Sequence, residues 1–363
     1  MTTIHAIVFE QENTVGFGTF TLPELKPDQM LVKTRYTFVS SGTETRVLGG
    51  HYGASGKFPL IPGYAAVGEV VEMGEAVKGY RLGDYLSYNS LNGPAGIHSQ
   101  WGGQASHHLV GMGDKAIVLP KGADPLDYVA SPVAAISLRG VMAAQPQPHE
   151  CAVVIGQGAI GAFSAGFLAS KGCRVIAVDL SESRLQRSYS YGVHACVQAA
   201  EPDAAERILA YCDGGANIVV EASGSKQGAA LAHKLIRRTP NTYRDPNTYY
   251  VNPMSGLVNH WPRIVYQANY LDRLSLDPRL DLNSEGVLLL MPGDRGLEDR
   301  LNAVEAIRSK LIDSRHYIDR VVSYKEAPLA YEQLRLQPDQ VFSVVFDWSG
   351  SGDEGSHSGG LES

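Results

Sequence analysis

Residues 151–179 read CAVVIGQGAIGAFSAGFLASKGCRVIAVD, and this stretch decides the fold. The apolar run AVVI leads into Gly156-Gln157-Gly158-Ala159-Ile160-Gly161, a GxGxxG sequence. A helix-length segment, AIGAFSAGFLASKG, opens inside it, and a second apolar strand, RVIAVD, ends in Asp179. In a chain with 39 glycines the pattern alone carries little information. Its position after a strand, at the start of a helix and about 20 residues before an acidic strand end, makes it a dinucleotide-binding fingerprint. Gly156 permits the tight strand-to-helix turn, Gly158 lets the backbone approach a pyrophosphate, and Gly161 lets the helix pack close to the sheet. The helix N-terminus at Ala159 and Ile160 adds free N–H groups and the positive dipole end. Asp179 is placed to bind the adenosine ribose hydroxyls and repels a 2′-phosphate, so NAD is expected over NADP, with Arg184 along the adenine. Two alternatives stay open: Arg184 or Arg187 turns towards a phosphate, or the glycines only build a turn and Asp179 caps the next helix.

From about residue 125 the same alternation continues. It runs through VASPVAAISLRGVMAA (129–144), the fingerprint, SESRLQRSYSYG (181–192), ACVQA (195–199) and ANIVVEAS (216–223). Strands alternating with helices imply βαβ units and a parallel sheet covered on both faces, a doubly wound Rossmann arrangement. The first 120 or so residues differ. They read as short strands cut by Gly and Pro, with almost no helical periodicity: IHAIVF (4–9), QMLVKTRYTFV (29–39), AAVGEVVEMG (65–74), GDYLSY (83–88) and KAIVLP (115–120). Residues 238–263 are rich in Asn, Pro and Tyr, and predict a shortened strand around Thr248–Asn252 between long loops. The polar aromatics at 241–260 suit a hydroxylated or ring-containing substrate, or else form a surface insertion. LEDRLNAVEAIRSKLI (297–312) predicts a helix, and VFSVVFDW (341–348) a last strand that returns to the β-rich region. The ending SGSGDEGSHSGGLES (349–363) reads as a flexible tail.

The chain has 363 residues, 44% hydrophobic and 19% charged, which describes an ordinary globular protein of two domains. A formal net charge of −7 leaves no general attraction for nucleic acid or anionic lipid. MTTIHAIVFEQENTV lacks the basic and apolar regions of a secretory signal, and no apolar run reaches the roughly 18 residues of a membrane span, so a cytoplasmic protein is expected. Cys151, Cys173, Cys196 and Cys212 form no CxxC pair and are expected to be buried, reduced thiols.

Residues 63–86, GYAAVGEVVEMGEAVKGYRLGDYL, resemble the signature of the medium-chain dehydrogenase/reductase superfamily, in which a GHE triplet leads into a Gly-rich hairpin and a GD turn. The resemblance extends to FVSSGTE (38–44), FPLIPG (58–63), EASGS (221–225) and the ending VSYKEAPLAYEQL…VFSVVFDW. The SSGTE form is similar to that of bacteriochlorophyllide dehydrogenase-like members, whose substrate is not carried over. The resemblance implies a GroES-like β-rich catalytic domain over 1–123, completed by 296–348. It further implies a Rossmann domain over 124–295, the nicotinamide in the cleft between them, and a homodimer or homotetramer. Ser223 and Gly224 then join the cofactor site.

The resemblance also exposes a departure. Where zinc members carry Cys, His and Glu, this chain has Ser41, Tyr64 and Ala65; the third ligand position, near Ala130–Pro132, offers only Ser131. The four-cysteine structural-zinc lobe is missing, because residues 87–110 contain no Cys. His98, His107 and His108 lie there, but adjacent strand residues face opposite ways, so His107 and His108 do not chelate one ion; no metal is expected. Without the metal, stabilising charge on a carbonyl oxygen and moving a proton fall to side chains. Thr43 matches the hydroxyl that starts the proton relay in zinc members, Tyr64 stands where a ligand would, and Glu44 matches a supporting Asp. His51 lies in the Gly-rich loop LGGHYGASGK (48–57), and Trp101 either lines the pocket or covers the core. The leading expectation is NAD-linked interconversion of a secondary alcohol (polyol, sugar-derived or ring-containing) and a ketone. An NADPH-dependent quinone or enoyl reductase and a non-catalytic dinucleotide-binding regulator are the alternatives.

Overall fold

The computed structural model describes residues 2–51, 57–88, 93–114, 116–237, 261–271, 273–275, 287–293 and 296–351. The expected strand at Thr248–Asn252 and nearly all of the C-terminal tail lie outside them. The described residues fall into two compact units: residues 2–132 with Gly296–Arg308 and everything from Tyr317, and Val133–Gly293 with Ser309–His316. The division falls at Pro132, nine residues beyond the sequence-based boundary of 123.

The first unit opens with β1 (Thr3–Gln11) and β2 (Thr14–Thr21), followed by β3 (Gln29–Ser40), α1 (Ser41–Leu48), β4 (Leu60–Ile61) and β5 (Ala66–Met73). Then come β6 (Tyr85–Tyr88), β7 (His98–Ser99), β8 (His107–Gly111), β9 (Ile117–Val118) and α2 (Pro125–Tyr128). β1 and β2 form an antiparallel hairpin closed at Asn13, which sits at φ 57°, a backbone region that Asn tolerates. β3 is the spine. One edge pairs with β5, and the other is shared by β8 along Gln29–Lys33 and the final strand along Tyr36–Ser40. The helix α1 departs from the expectation of almost no helical periodicity here: SGTETRVL has only two apolar residues, Val47 and Leu48, which are buried together with Ser41 and Glu44.

The second unit begins within α3 (Ser131–Ala144) and runs β10 (Cys151–Ile155), α4 (Ala159–Ser170), β11 (Arg174–Asp179), α5 (Glu182–Ser188), β12 (Ala195–Gln198) and α6 (Ala204–Tyr211). It continues with β13 (Ile218–Glu221), α7 (Lys226–Leu235), β14 (Arg263–Tyr266) and β15 (Leu288–Leu290). The six strands are all parallel, in the order β12-β11-β10-β13-β14-β15. Such a sheet is buried on both faces, which is why CAVVI and IVVE are unbroken apolar runs apart from one terminal acid. One expectation fails here. Cys151 and Cys212 are joined in a disulfide with their Cα atoms 5.5 Å apart, while Cys173 and Cys196 are free. Their 61-residue separation hides the contact, which forms in the apolar core that Cys151 at the start of β10 and Cys212 at the end of α6 share.

The chain closes with α8 (Leu297–Arg308), β16 (Arg320–Ser323), α9 (Ala327–Leu336) and β17 (Ser343–Asp347). β17 pairs with β3, and Tyr331, Leu334, Phe346 and Trp348 share one apolar core with Ile7, Phe9, Val39 and Leu60. The indole of Trp348 stacks on Tyr324 with ring centroids 4.5 Å apart. The C-terminal segment is thus part of the β-rich core.

Candidate active site

In the second unit, the loop between β10 and α4 is built from backbone. Gly156 sits at φ 89°, and a Cβ on it would lie 2.8 Å from the Ser223 nitrogen, inside contact distance. A Cβ on Gly161 would lie 1.7 Å from the Gly156 carbonyl oxygen, so only glycine lets α4 start this close to the turn. Gly158 caps α4, leaving the first amides of Ala159 and Ile160 at a positive helix end with no side chain in front. The Gln157 side chain anchors the loop from below: its Nε2 donates to Val154 O at 3.0 Å, and its Oε1 accepts from Tyr191 Oη and Ser188 Oγ.

Asp179 ends β11 next to this loop. Its carboxylate accepts from the Gln157 amide at 2.5 Å and from the Ser181 amide at 2.8 Å. Asp179 thus holds the glycine loop and orders the turn into α5, whose N-cap is Ser181 and not Asp179. Arg184 lies half-buried on α5. Ser223 and Gly224 follow β13 and fold onto Glu221. The Ser223 amide donates to Glu221 Oε1 at 2.9 Å and the Gly224 amide to Oε2 at 3.3 Å, while Tyr270 Oη also donates to Oε2.

In the first unit, the β3–β5 register brings the other candidates to one end of β3. Ala66 pairs with Thr37, and the Phe38 amide donates to Ala65 O, so Tyr64 lies beside the point where β3 turns into Ser41 and α1. Tyr64 is buried, with its ring edge-on to Trp101 at 5.3 Å. Ser131 meets Ser87 through their hydroxyls at 2.7 Å, and Ser87 pairs across the sheet with Val67, three residues beyond Tyr64. Thr43 is half-buried in the first turn of α1. His51 is exposed beyond the C-terminal end of α1, where its amide donates to Arg46 O at 2.8 Å, whereas Thr43 lies in the first turn.

Glu44 is fully buried and receives three donors: the Ser40 amide at 3.3 Å, Gln104 Nε2 at 3.3 Å and Tyr331 Oη at 2.6 Å. Behind Gln104 the chain continues, with Thr37 Oγ1 donating to Gln104 Oε1 at 2.6 Å and Trp348 Nε1 donating to Thr37 Oγ1 at 2.9 Å. Burial outweighs these bonds and pushes the Glu44 carboxyl up to about 7. Through these bonds Glu44 ties the start of α1 to Gln104 and to α9, the supporting reading of this residue. The sequence reading missed Gln104, Tyr331 and Trp348, because nothing in their local patterns marks them and only folding joins positions 287 residues apart.

His108 of the same unit is held in a hydrogen-bond network. His108 is buried; Tyr88 Oη lies 2.8 Å from its Nδ1, and Gly102 O lies 2.9 Å from its Nε2. The carbonyl makes Nε2 the donor, so Tyr88 donates to Nδ1. Burial pulls the His108 ring down to about 4, which keeps it neutral. His107, its neighbour on β8, is likewise pulled down to about 4, chiefly by burial.

A family described as "Alcohol dehydrogenase GroES-like domain" matches residues 26–121, and one described as "Zinc-binding dehydrogenase" matches residues 159–239. One match falls in each unit, on the β-rich sheet and on the stretch from the start of α4 onward. The chain belongs to the medium-chain dehydrogenase/reductase superfamily. A sorbitol dehydrogenase of Halalkalibacterium halodurans is 27% identical over 256 residues, covering 64% of this chain and 74% of that one. Among solved structures, the fold is shared with an alcohol dehydrogenase of Escherichia coli CFT073 complexed with NADH, with TM-score 0.78, 15% identity, and 96% and 100% of the two chains covered. It is shared too with a protein of Sinorhizobium meliloti 1021 described as a zinc-binding dehydrogenase and bound to NADP, with TM-score 0.77, 19% identity, and 96% and 100% covered.

Membership in this superfamily raises the question of zinc, which takes Cys, His or carboxylate ligands. The corresponding positions here are Ser41, Tyr64 and Ser131, all hydroxyls, one of them committed to Ser87. That donor set does not fit the metal. Among the described residues no group of three or more His, Cys, Asp or Glu side chains could hold an ion. Nor is any helix there long and apolar enough to cross a membrane.

Proposed function

We propose that this protein is an NAD(H)-dependent oxidoreductase that interconverts a secondary alcohol and its ketone by hydride transfer without a catalytic zinc. The substrate class is a polyol, a sugar-derived alcohol or a ring-containing alcohol. The observation that carries the reading is the Asp179 carboxylate, bonded to the Gln157 amide inside a loop whose glycines leave the backbone open to a pyrophosphate. A carboxylate at that strand end favours ribose hydroxyls and repels a 2′-phosphate, which supports NADH over NADPH. Solved relatives hold one or the other dinucleotide, so the preference rests on Asp179. The sorbitol dehydrogenase relative supports an alcohol or polyol as substrate.

The bound nicotinamide supplies the hydride acceptor or donor at its C4. The chain's own task is the proton on the substrate oxygen. Thr43, half-buried at the start of α1, relays that proton, and Tyr64 donates a hydrogen bond to the oxygen from the bend that precedes β5. Glu44 keeps α1 fixed beneath them through Tyr331 and Gln104.

The test is a metal assay on the purified protein followed by a screen of alcohols and ketones, read at the nicotinamide absorbance band. Turnover of a secondary alcohol with NAD by protein containing no stoichiometric zinc supports the proposal. Stoichiometric zinc required for turnover sinks it, and reduction of enones but not ketones redirects it to the enoyl-reductase reading.

A further inference from the structure

Open α/β sheets bind ligands beyond the carboxyl ends of their strands, at the point where strand order reverses. In the order β12-β11-β10-β13-β14-β15 that point lies between β10 and β13. The two loops that leave it touch. Gly156, after β10, lies so close to the loop after β13 that a Cβ would come within 2.8 Å of the Ser223 amide nitrogen and 2.9 Å of its Cα. The shape of the loop after β13 therefore sets one wall of the crevice.

That shape is imposed by one carboxylate. Glu221, the last residue of β13, has no solvent exposure. It accepts from the Ser223 amide and hydroxyl, from the Gly224 amide, and from Tyr270 Oη. Ser223 Oγ in turn accepts from the Ser225 amide at 3.2 Å, and Ser225 Oγ caps α7 through the Gly228 amide at 2.9 Å. Gly228 leaves room for this arrangement, since a Cβ there would lie 2.5 Å from Glu221 Oε1. Tyr270, four residues past β14, is half-buried, its ring 6.0 Å from that of Tyr266. Burial and the adjacent carboxylate push its phenol far above the ordinary value, so it stays a hydrogen-bond donor.

We infer that Glu221 is a positioning residue for the nicotinamide half of the dinucleotide, acting through the Ser223–Gly224 loop and through Tyr270. The inference rests on the proposed dinucleotide reading. Asp179, on the β11 side of the switch point, takes the adenosine ribose, so the other half of the molecule extends over the ends of β13 and β14. Glu221 and Tyr270 flank that side only. The arrangement resembles the carboxylate's work at Asp179, with one difference: Glu221 is sealed and acts through backbone amides and a phenol, never on the ligand itself.

The experiment is calorimetric titration of wild type, Glu221→Gln and Tyr270→Phe with NADH and with 5′-AMP, which fills the adenosine end alone. Losing or weakening a bond to a buried charge is expected to lower NADH affinity about tenfold in Glu221→Gln and about threefold in Tyr270→Phe, with AMP affinity unchanged. A purely structural role would move both ligands together, so equal weakening of AMP and NADH overturns the inference, as does unchanged NADH affinity in both variants. Wild-type protein that binds AMP but neither NADH nor NADPH overturns the dinucleotide reading itself, a result distinct from any difference among the variants.

Discussion

Two helix N-termini carry the proposed chemistry of this chain, and they are built on opposite plans. α4 starts with Gly158, Ala159, Ile160 and Gly161, presenting amides with no polar side chain, and its partners below are Gln157 and Asp179. α1 starts with Ser41, Gly42, Thr43 and Glu44, presenting hydroxyls above a buried carboxylate. A pyrophosphate needs close backbone and a positive dipole end, so evolution of that site is a matter of removing side chains. A proton on a substrate oxygen needs a side chain of suitable acidity held still, so that site depends on what lies behind it. The first plan is local in sequence, whereas the second reaches to Tyr331 and Trp348 at the other end of the chain.

The sharpest way to break the comparison is to place the same methyl group at both helix starts. In Gly161→Ala the Cβ meets the Gly156 carbonyl, backbone that cannot yield cheaply. A loss of about 4 kcal/mol in urea unfolding is expected, together with loss of NADH binding. In Gly42→Ala the new Cβ meets nothing within 4 Å. That variant should stay within about 1 kcal/mol of wild type, on the stabilising side, as an Ala-for-Gly exchange in a helix does. Equal effects at the two positions would erase the distinction.

The next largest effect concerns pH. Glu44 titrates near 7 when folded against an ordinary value of 4.5, so the folded state holds this proton over a window where the unfolded state releases it. Stability contributed by the neutral carboxyl is complete below pH 4.5, falls as pH rises towards 7 and is flat above. The shift corresponds to about 3 kcal/mol at most. Relative to wild type, Glu44→Gln should therefore be more stable at pH 7.5 than at pH 5 by an amount approaching that figure, measured by urea unfolding at both values. A pH-independent difference would show that burial does not control this group. The smallest effect is expected from Tyr331→Phe, which removes one of three donors to Glu44. A cost of about 1 kcal/mol is expected, larger at pH 7.5 than at pH 5 because the donor serves the ionised carboxylate best.

These contrasts explain what could be read in advance. The glycine loop, β10, β11 and Asp179 were legible because parallel strands buried on both faces leave apolar runs, and the fingerprint itself is contained in residues 151–179. The return of VFSVVFDW to the β-rich unit was legible as a strand, and pairs with β3 as expected. α1 was not: its burial comes from two residues and from packing supplied by α9 and β17. His51 drew attention as a histidine in the Gly-rich loop 48–57, and it lies exposed past the end of α1. The Cys151–Cys212 disulfide and the Glu221–Tyr270 bond were invisible because they are contacts between residues far apart in the chain.

Asp179 orders the glycine loop and is the group proposed to select the cofactor. Fluorescence titration of wild type and Asp179→Ser with NADH and NADPH tests it most directly. Wild type should bind NADH at least about tenfold more tightly than NADPH, and the variant should lose that preference as the carboxylate that repels a 2′-phosphate is removed. Equal or tighter binding of NADPH by wild type would contradict it.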